Sequence, residues 1–473
     1  MIEFILNDQK IITEKPNGSS LLDFIRKESH LLGTKVGCRE GDCGACTVLE
    51  GSLNNSELTY KSIVSCLTPL INAHGKHIVT IEGLNMEVLS PVQESMSDNS
   101  ATQCGFCTPG FVVSLTGHLL SSDKNDPLQS ISGNICRCTG YKSIEKAAHE
   151  IDDLKGALLK GSEIKSMIEK GWLPDYFLSI QKRLSDFDQL ENQETTAEIL
   201  IGGGTDLMVQ VPEKVRQSAI KSTENNIPNS IEIEEGKIKV GAGISMNNFV
   251  NHQIIDSNLP KLKDFFPLIA SEQIRNMGTL AGNIVNASPI GDLSILLLAL
   301  NSQLIIENSN KEIRQVLLNE FFLDYKKVDL KKYETIKFIV FDNNKKGQRI
   351  NFEKVSKRTY LDIASVNSAL SISVDKGIIQ ELSFSAGGIA AIPKFMSNTN
   401  NFLKGKKLDI HNLESVLDIL QNEISPISDI RGSKDYKRLL IRQLFLQHFL
   451  KLFPEVFSED EIYKLMTTNK IAV

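Results

Sequence analysis

Residues 37–48 read GCREGDCGACTV, and this stretch places three cysteines close together in a glycine-rich loop. A fourth cysteine follows nineteen residues after the third, so the first candidate ligand set is Cys38, Cys43, Cys46 and Cys66. Gaps of four and then two residues within the loop are the plant-type spacing for a [2Fe–2S] cluster. Glycines let such a loop fold tightly and bring backbone N–H groups to the cluster sulfurs. The alternative is a four-cysteine zinc site, although such sites usually contain paired Cys-x2-Cys elements.

A second set of cysteines follows further along the chain: Cys104, Cys107, Cys136 and Cys138. The first two precede a predicted helix with Thr108 as its cap and Pro109 as its first helical residue, and the last two precede a helix that begins near Tyr141. Helix N-termini stabilise thiolates, so two of them can face one metal centre. Zinc also fits this spacing. Together the two sets use all eight cysteines, which leaves none for a structural or catalytic role.

Composition describes an ordinary folded protein. The chain has 473 residues, 41% of them hydrophobic, which favours about two to four domains. A net charge of −6 gives no basic field for nucleic acid or an anionic membrane. The amino terminus does not resemble a signal peptide, and the most apolar stretch, residues 293–306, is too short to span a bilayer. We therefore expect a cytoplasmic location, no membrane segment and no nucleic-acid partner.

Hydrophobic patterning divides the chain into successive domains. A strand-rich domain is predicted over residues 1–84, a helical domain over 85–158, a linker over 159–175, an α+β domain over 176–349 and a terminal α+β lobe over 350–473. The fold class is therefore multidomain α+β.

Two cysteine-free stretches are candidates for binding a phosphate-bearing cofactor. Residues 201–206 read IGGGTD after a predicted strand, and consecutive glycines allow close backbone approach to a phosphate, although a plain turn is the alternative. Residues 273–292, QIRNMGTLAGNIVNASPIGD, are rich in small and hydrogen-bonding residues, for which a polar loop is the alternative. A third stretch, Gly241 to Gly243, lacks the third glycine of a dinucleotide fingerprint and is interpreted as a strand-to-helix turn.

The motifs GCREGDCGACTV, QCGFCTPG and CRCTGY resemble the iron–sulfur segments of the molybdenum hydroxylase family, which includes xanthine dehydrogenase. IGGGTD and GTLAGN…ASPIGD resemble two segments of the FAD domain of the same family. The resemblance implies a plant-ferredoxin-like β-grasp domain, a four-helix [2Fe–2S] domain, an FAD-binding domain of the vanillyl-alcohol-oxidase (PCMH) type and a C-terminal lobe like that of CO dehydrogenase flavoproteins.

The resemblance also implies site residues. The eight cysteines would bind two [2Fe–2S] clusters, and Asp292 would hydrogen-bond the flavin or ribitol region of FAD. The family pattern has a second glycine where this chain has Ala281, and its methyl group is expected to tighten the ligand's approach slightly. The residues that would line the pyrophosphate and adenosine path are Ile201, Gly202, Gly203, Gly204, Thr205, Asp206, Thr279, Leu280, Ala281, Gly282 and Asn283.

Relatives with all activities on one chain continue into a long molybdopterin-binding portion, whereas this chain ends after the flavin lobe. The resemblance therefore implies an electron-transfer subunit with a large molybdopterin-binding partner, in a heterotetramer of two small and two large chains. Electrons from hypoxanthine or xanthine, oxidised to urate at molybdenum on the partner, would pass through both clusters to FAD and then to NAD. No side chain of this chain is expected to be catalytic. The alternatives are the same role for an aldehyde or another N-heterocycle, and a non-catalytic zinc-stapled or electron-transfer adaptor.

Overall fold

The computed structural model describes residues 1–121, 126–158, 161–187, 198–224, 226–343 and 347–468. The chain divides into two compact units. The first contains Met1–Asn226 together with Ala270–Gly278, and the second contains Ile227–Ile269 together with Thr279–Val473. Among the described residues, none of the helices combines the length and apolarity needed to cross a membrane.

The first unit begins with a mixed five-stranded sheet. From edge to edge its strands are Gln9–Thr13, Ile2–Leu6, His77–Val79, Thr47–Asn54 and Glu57–Val64. Ile2–Leu6 pairs in parallel with His77–Val79, and the other neighbours are antiparallel. A helix at Leu21–Asp23 continues as a π-helix at Phe24–Glu28, and 3-10 turns lie at Leu70–Ala73 and Ile81–Leu84. This matches the predicted β-rich domain.

Helices follow the sheet, as predicted. They are Pro91–Asp98, Thr108–Leu120, Pro127–Ser130, Lys142–Lys155, Glu163–Glu169 and Phe177–Ser185. The Thr108–Leu120 helix is buried along almost its whole length and lies at the centre of the domain. Residues 159–160 of the predicted linker lie outside the described residues. The rest of that linker contains the Glu163–Glu169 helix, because Met167 packs into the helical core.

The first unit also contains the start of the predicted flavin domain. Strands Ile199–Ile201 and Ile220–Ser222 pair in parallel, and the short helices Leu207–Gln210 and Pro212–Gln217 connect them. The helix Glu272–Met277 returns to this unit from later in the chain and packs on the Glu57–Val64 strand.

The second unit contains two antiparallel sheets. The first has the strand order Ile313–Leu317, Gln303–Glu307, Thr335–Asp342, Lys237–Gly241 and Ile231–Glu234, beside a hairpin of Phe322–Asp324 and Lys327–Val328. Its helices are Met246–Asn251, Gln253–Asn258, Leu262–Phe265, Leu280–Asn286, Asp292–Ala299 and Leu318–Phe321, with a 3-10 turn at Phe266–Leu268. The apolar Asp292–Ala299 helix is buried in this core, as predicted.

The C-terminal lobe forms the rest of the second unit. Its sheet has the order Gln348–Val355, Val366–Asp375, Ile378–Gly387 and Lys394–Phe395. Four helices accompany the sheet: Ser397–Leu403, Ile410–Glu423, Lys434–Leu452 and Glu459–Thr468. Phe384 on the sheet packs edge-on against Phe445 of the longest helix, at a ring-centroid distance of 5.1 Å. The predicted terminal α+β lobe is confirmed.

Candidate iron–sulfur and flavin sites

The four cysteines of the first set come together as two pairs. Cys38 lies against Cys43, and Cys46 lies against Cys66. A [2Fe–2S] cluster takes four thiolates on two irons, so two adjacent pairs fit its donor set. The donor arrangement therefore fits the two-iron cluster.

Backbone N–H groups in this loop point at sulfur. The amide of Glu40 donates to Cys38 Sγ at 3.3 Å, and the amide of Cys38 donates to Cys43 Sγ at 3.4 Å. The hydrogen bond with Cys43, helped by backbone amides, lowers the pKa of the Cys38 thiol to about 5. Gly41 and Gly44 have φ of +80° and +63°, the left-handed conformation that glycine adopts most readily. The loop therefore supplies the donors that stabilise a thiolate-bound cluster.

The second set also forms two pairs, Cys107 with Cys136 and Cys104 with Cys138. The Thr139 hydroxyl donates to Cys136 Sγ at 3.3 Å, and this bond lowers the pKa of Cys136 against the opposing effect of burial. Cys107 itself, rather than Thr108, is the N-cap of the following helix. The prediction of the cap was wrong by one residue because Thr108 already has helical backbone and its hydroxyl lies 2.7 Å from that of Thr102.

The two cysteine loops contact one another directly. The amide of Ile135 donates to the carbonyl oxygen of Cys43 at 3.0 Å, and Cys136 is the next residue. Gly110 packs so closely that a Cβ there would overlap the carbonyl oxygen of Gly44. Cys43 and Cys136, a candidate ligand from each set, are therefore attached to backbone segments that are hydrogen-bonded to one another.

The glycine triplet of the first flavin segment lies in the first unit, where packing requires two of its glycines. A Cβ at Gly203 would overlap the Met277 carbonyl oxygen, and one at Gly204 would overlap that of Leu67. Phosphate approach is therefore not the sole reason for these glycines. Within the described residues the backbone amides of residues 202–205 donate no hydrogen bond, and Gly202, Gly203 and Thr205 are partly exposed, as a phosphate-binding loop requires. That arrangement fits a cofactor phosphate.

The rest of this segment flanks the triplet. Ile201 ends its strand fully buried, and Asp206 is the N-cap of the Leu207–Gln210 helix. Thr205, between the triplet and Asp206, is half buried.

From Thr279 onward the second flavin segment belongs to the second unit, and the first-turn amides of its helix already donate hydrogen bonds within the protein. Thr279 caps the Leu280–Asn286 helix by accepting from the Gly282 amide at 3.1 Å. The amides of Leu280 and Ala281 donate to the carbonyls of Ile244 and Ala242. Any contact with FAD here would have to come from side chains or carbonyls. The expected effect of Ala281 is also not supported, because the residue is 8% exposed and belongs to the core.

Asp292, in the predicted FAD-binding domain, forms a buried ion pair with Lys354 of the C-terminal lobe. Lys354 Nζ lies 2.7 Å from Asp292 Oδ2 and also donates to the Leu268 carbonyl at 2.7 Å. Asn367 donates to Asp292 Oδ1 at 2.5 Å. Burial raises the pKa of Asp292, against the opposing effect of Lys354. Both carboxylate oxygens thus have protein partners, and a flavin contact would share an oxygen that is already hydrogen-bonded.

Sequence reasoning missed several residues around these sites. Lys354 and Asn367 are the two ends of the segment KVSKRTYLDIASVN, which resembles the C-terminal lobe of the flavoprotein, but nothing in the sequence relates them to Asp292, and only the folded sheet brings them there. Arg39, inside the first cysteine motif, has φ of +59° and forms a two-pronged ion pair with Asp23 at 3.2 and 2.8 Å. The sequence did contain a signal for Arg39, because it is a charged residue between the first two cysteines of the motif.

Four family models match the chain in succession. They describe a 2Fe-2S iron-sulfur cluster binding domain over residues 4–70, a [2Fe-2S] binding domain over 80–149, an FAD binding domain in molybdopterin dehydrogenase over 179–341, and a CO dehydrogenase flavoprotein C-terminal domain over 352–452. The chain thus combines two iron–sulfur domains with a two-part flavoprotein. Together the four matches support a small subunit of the molybdenum hydroxylase family.

Curated relatives and solved structures extend the comparison. The chain is 27% identical to a xanthine dehydrogenase of Oryza sativa subsp. japonica over 92% of this chain and 38% of that protein. It is 28% identical to that of Emericella nidulans over 97% of this chain and 39% of that protein. The chain therefore spans about two fifths of the length of these relatives. A carbon monoxide dehydrogenase from Hydrogenophaga pseudoflava aligns with a TM-score of 0.49 and 25% identity, over 52% of this chain and 86% of that chain.

Proposed function

We propose that this chain is the electron-transfer subunit of a xanthine dehydrogenase, connecting a molybdenum site on a partner chain to NAD. When bound, two [2Fe–2S] clusters would carry electrons singly, and FAD would combine two of them for hydride transfer to NAD. The chain's own residues hold these groups, set their surroundings and keep them close together. None of its side chains needs to act as a general acid or base.

The first cysteine set carries the proposal, because residues at or next to its cysteines contact both neighbouring sites within the first unit. At Cys43 its backbone is hydrogen-bonded to Ile135, beside the ligand Cys136. At the other end, Leu67 directly follows Cys66 and lies against Gly204 of the glycine triplet. This order of contacts supports a path from the helical-domain cysteines through the β-grasp cysteines to the flavin.

The choice of substrate rests on the relatives. The aligned xanthine dehydrogenases cover nearly this whole chain, and on that similarity we propose hypoxanthine and xanthine as substrates, oxidised to urate at molybdenum on a large molybdopterin-binding partner. We propose an assembly of two small and two large chains. An aldehyde or another N-heterocycle as substrate would leave the role of this chain unchanged.

Anaerobic titration of the purified chain with NADH tests the proposal, with visible and electron paramagnetic resonance (EPR) spectra recorded together. Flavin and both clusters should be reduced. Flavin absorbance that dithionite bleaches but NADH does not would remove NAD as the acceptor. A colourless protein that contains zinc would overturn the proposal in favour of the adaptor.

Two cysteine variants test the order of the path. In Cys66→Ser, NADH should reduce the flavin, while the helical-domain cluster stays oxidised on the same timescale. In Cys107→Ser, NADH should reduce both the flavin and the β-grasp cluster. Equally fast reduction of the helical-domain cluster in Cys66→Ser and in the wild type would contradict the order.

A further inference from the structure

A buried amide, Asn134, joins three segments of the first unit. Its Nδ2 donates to the Gly44 carbonyl oxygen at 3.1 Å, in the loop that carries the first cysteine set. Its Oδ1 accepts from the Ser114 hydroxyl at 2.9 Å, on the Thr108–Leu120 helix. The same oxygen accepts from Gln273 Nε2 at 3.1 Å, on the Glu272–Met277 helix. Asn134 is 5% exposed, so water does not compete for these bonds.

Gln273 holds the Asn134 amide in place, but its own side-chain oxygen is left without a hydrogen bond from any described residue. Its Nε2 also contacts the Ser114 hydroxyl at 3.0 Å and the Ser130 carbonyl at 2.9 Å. Its Oε1 is buried and has no hydrogen-bond partner among the described residues. A buried acceptor without a hydrogen bond is unfavourable, so this arrangement is not the one that best satisfies Gln273 itself. Gly133 leaves the room for this oxygen, because a Cβ there would overlap it.

Asn134 sits beside a backbone hydrogen bond that joins the two cysteine loops. The next residue, Ile135, donates to the Cys43 carbonyl, and the residue after that is the ligand Cys136. The side-chain bond to Gly44 and the backbone bond to Cys43 therefore hold consecutive residues of one loop. A satisfied donor and acceptor in a buried network rigidify the groups they join.

We propose that Asn134 is a positioning residue for electron transfer, which fixes the separation of the two clusters by binding the Gly44 loop and is itself oriented by Gln273. This rests on the proposed function, because it assumes that electrons pass between the two cysteine sets. Electron tunnelling falls off exponentially with distance, so a small separation of the two loops slows transfer without removing either cluster.

Two substitutions disturb the contact from opposite sides. Asn134→Asp keeps the shape and the acceptor for Ser114 and Gln273 but places a carboxylate oxygen against the Gly44 carbonyl. Gly110→Ala inserts a methyl group that overlaps the same carbonyl from the Thr108–Leu120 helix. The matched control is Gly117→Ala on the same helix, where the methyl would overlap the Ser62 hydroxyl instead.

The main readout is the magnetic splitting between the clusters in the EPR spectrum of the dithionite-reduced full-length protein. This splitting depends on cluster separation and does not require NADH to be the donor. We expect Asn134→Asp and Gly110→Ala to contain both clusters, with reduced splitting. Reduction of the helical-domain cluster after mixing with NADH should slow about tenfold. This is the lower end of the range of effects expected when a group that supports a metal ligand is replaced. Gly117→Ala should match the wild type.

Two results would overturn the proposal. One is unchanged splitting and rate in variants that contain both clusters. The other is an equal change in Gly117→Ala, which would indicate general overpacking of the helix. If Asn134→Asp lacks a cluster, Gly110→Ala decides by the same criteria. A wild-type protein that NADH cannot reduce removes NAD from the proposed function, while the splitting still tests the role of Asn134.

Discussion

Lowering the pH from 7 to 5 should destabilise the first compact unit through His77, a buried histidine that its partners keep neutral. His77 Nε2 lies 2.8 Å from the Asn7 carbonyl oxygen, which only accepts, so Nε2 carries the proton. Nδ1 lies 2.7 Å from the Tyr60 hydroxyl, which therefore donates to it. A second proton, on Nδ1, would displace the Tyr60 hydroxyl hydrogen from this bond and place a charge in the buried site, and burial lowers the pKa of His77 to about 3.

The sign and size of the effect follow from linkage. The histidine pKa is about 6.5 in the unfolded chain and about 3 in the folded one, so acid protonates the unfolded state first. The stabilisation is fully present above pH 6.5 and is lost as the pH falls toward 3. Between pH 7 and pH 5 the loss amounts to about 2 kcal/mol.

Trp172 allows this loss to be measured in one unit. It is the only tryptophan of the chain and packs against the core of the first unit. Anaerobic urea unfolding followed by its fluorescence should show the stability gap between wild type and His77→Gln shrinking by about 2 kcal/mol, or roughly a 1 M change in midpoint difference. The control is His448→Gln, because His448 is also buried and neutral but lies in the second unit. An equal loss in wild type and His77→Gln would refute the reasoning.

Three further predictions concern charge, packing and burial. Arg39→Gln should lower the reduction potential of the β-grasp cluster, and Asp23→Asn should raise it, each by about 20–40 mV for an exposed pair, measured by redox titration of the EPR signal. Gly204→Ala should lower the flavin content per iron, whereas Gly405→Ala, with nearly the same φ but open space around it, should not. Lys354→Met should lower the free energy of unfolding of the second unit by about 3–5 kcal/mol, because the buried Asp292 loses its ion-pair partner. The thermal transition of the second unit should then occur at a lower temperature.

The sequence predicted the domain order because its signals are local. Cysteine spacing, glycine-rich loops and periodic apolar residues are all read within one segment, as for the strand Ile2–Leu6 and the helix Lys142–Lys155. Long-range partners have no such signal. Asn134 and Gln273 are far apart in the sequence, and neither their composition nor their spacing indicates that they share a hydrogen bond.

The glycine triplet shows how a motif predicted from local properties can have a second, structural reason. The sequence relates its three glycines to a phosphate, because close backbone approach is the local property of glycine. In the folded chain, Gly203 and Gly204 also meet the backbones of Met277 and Leu67, which are distant in sequence. Amides without a hydrogen bond to a described residue and tightly packed glycines therefore occur in one loop. Only the packing depends on the tertiary structure.

The β-grasp domain is joined to its neighbours through polar groups that an isolated fragment would expose. Lys76 is 7% exposed and pairs with Glu50 of its own sheet at 3.1 Å and with Glu224, just after the strand Ile220–Ser222, at 2.9 Å. Asn276 donates to the Ser62 carbonyl at 2.9 Å, near the strand end that leads to Cys66. Cutting the chain at the predicted boundary would hydrate these groups and the cysteine loop together. Because solvent exposure and hydrogen bonding set the potential of an iron–sulfur cluster, a potential measured on such a fragment would differ from that of the whole chain.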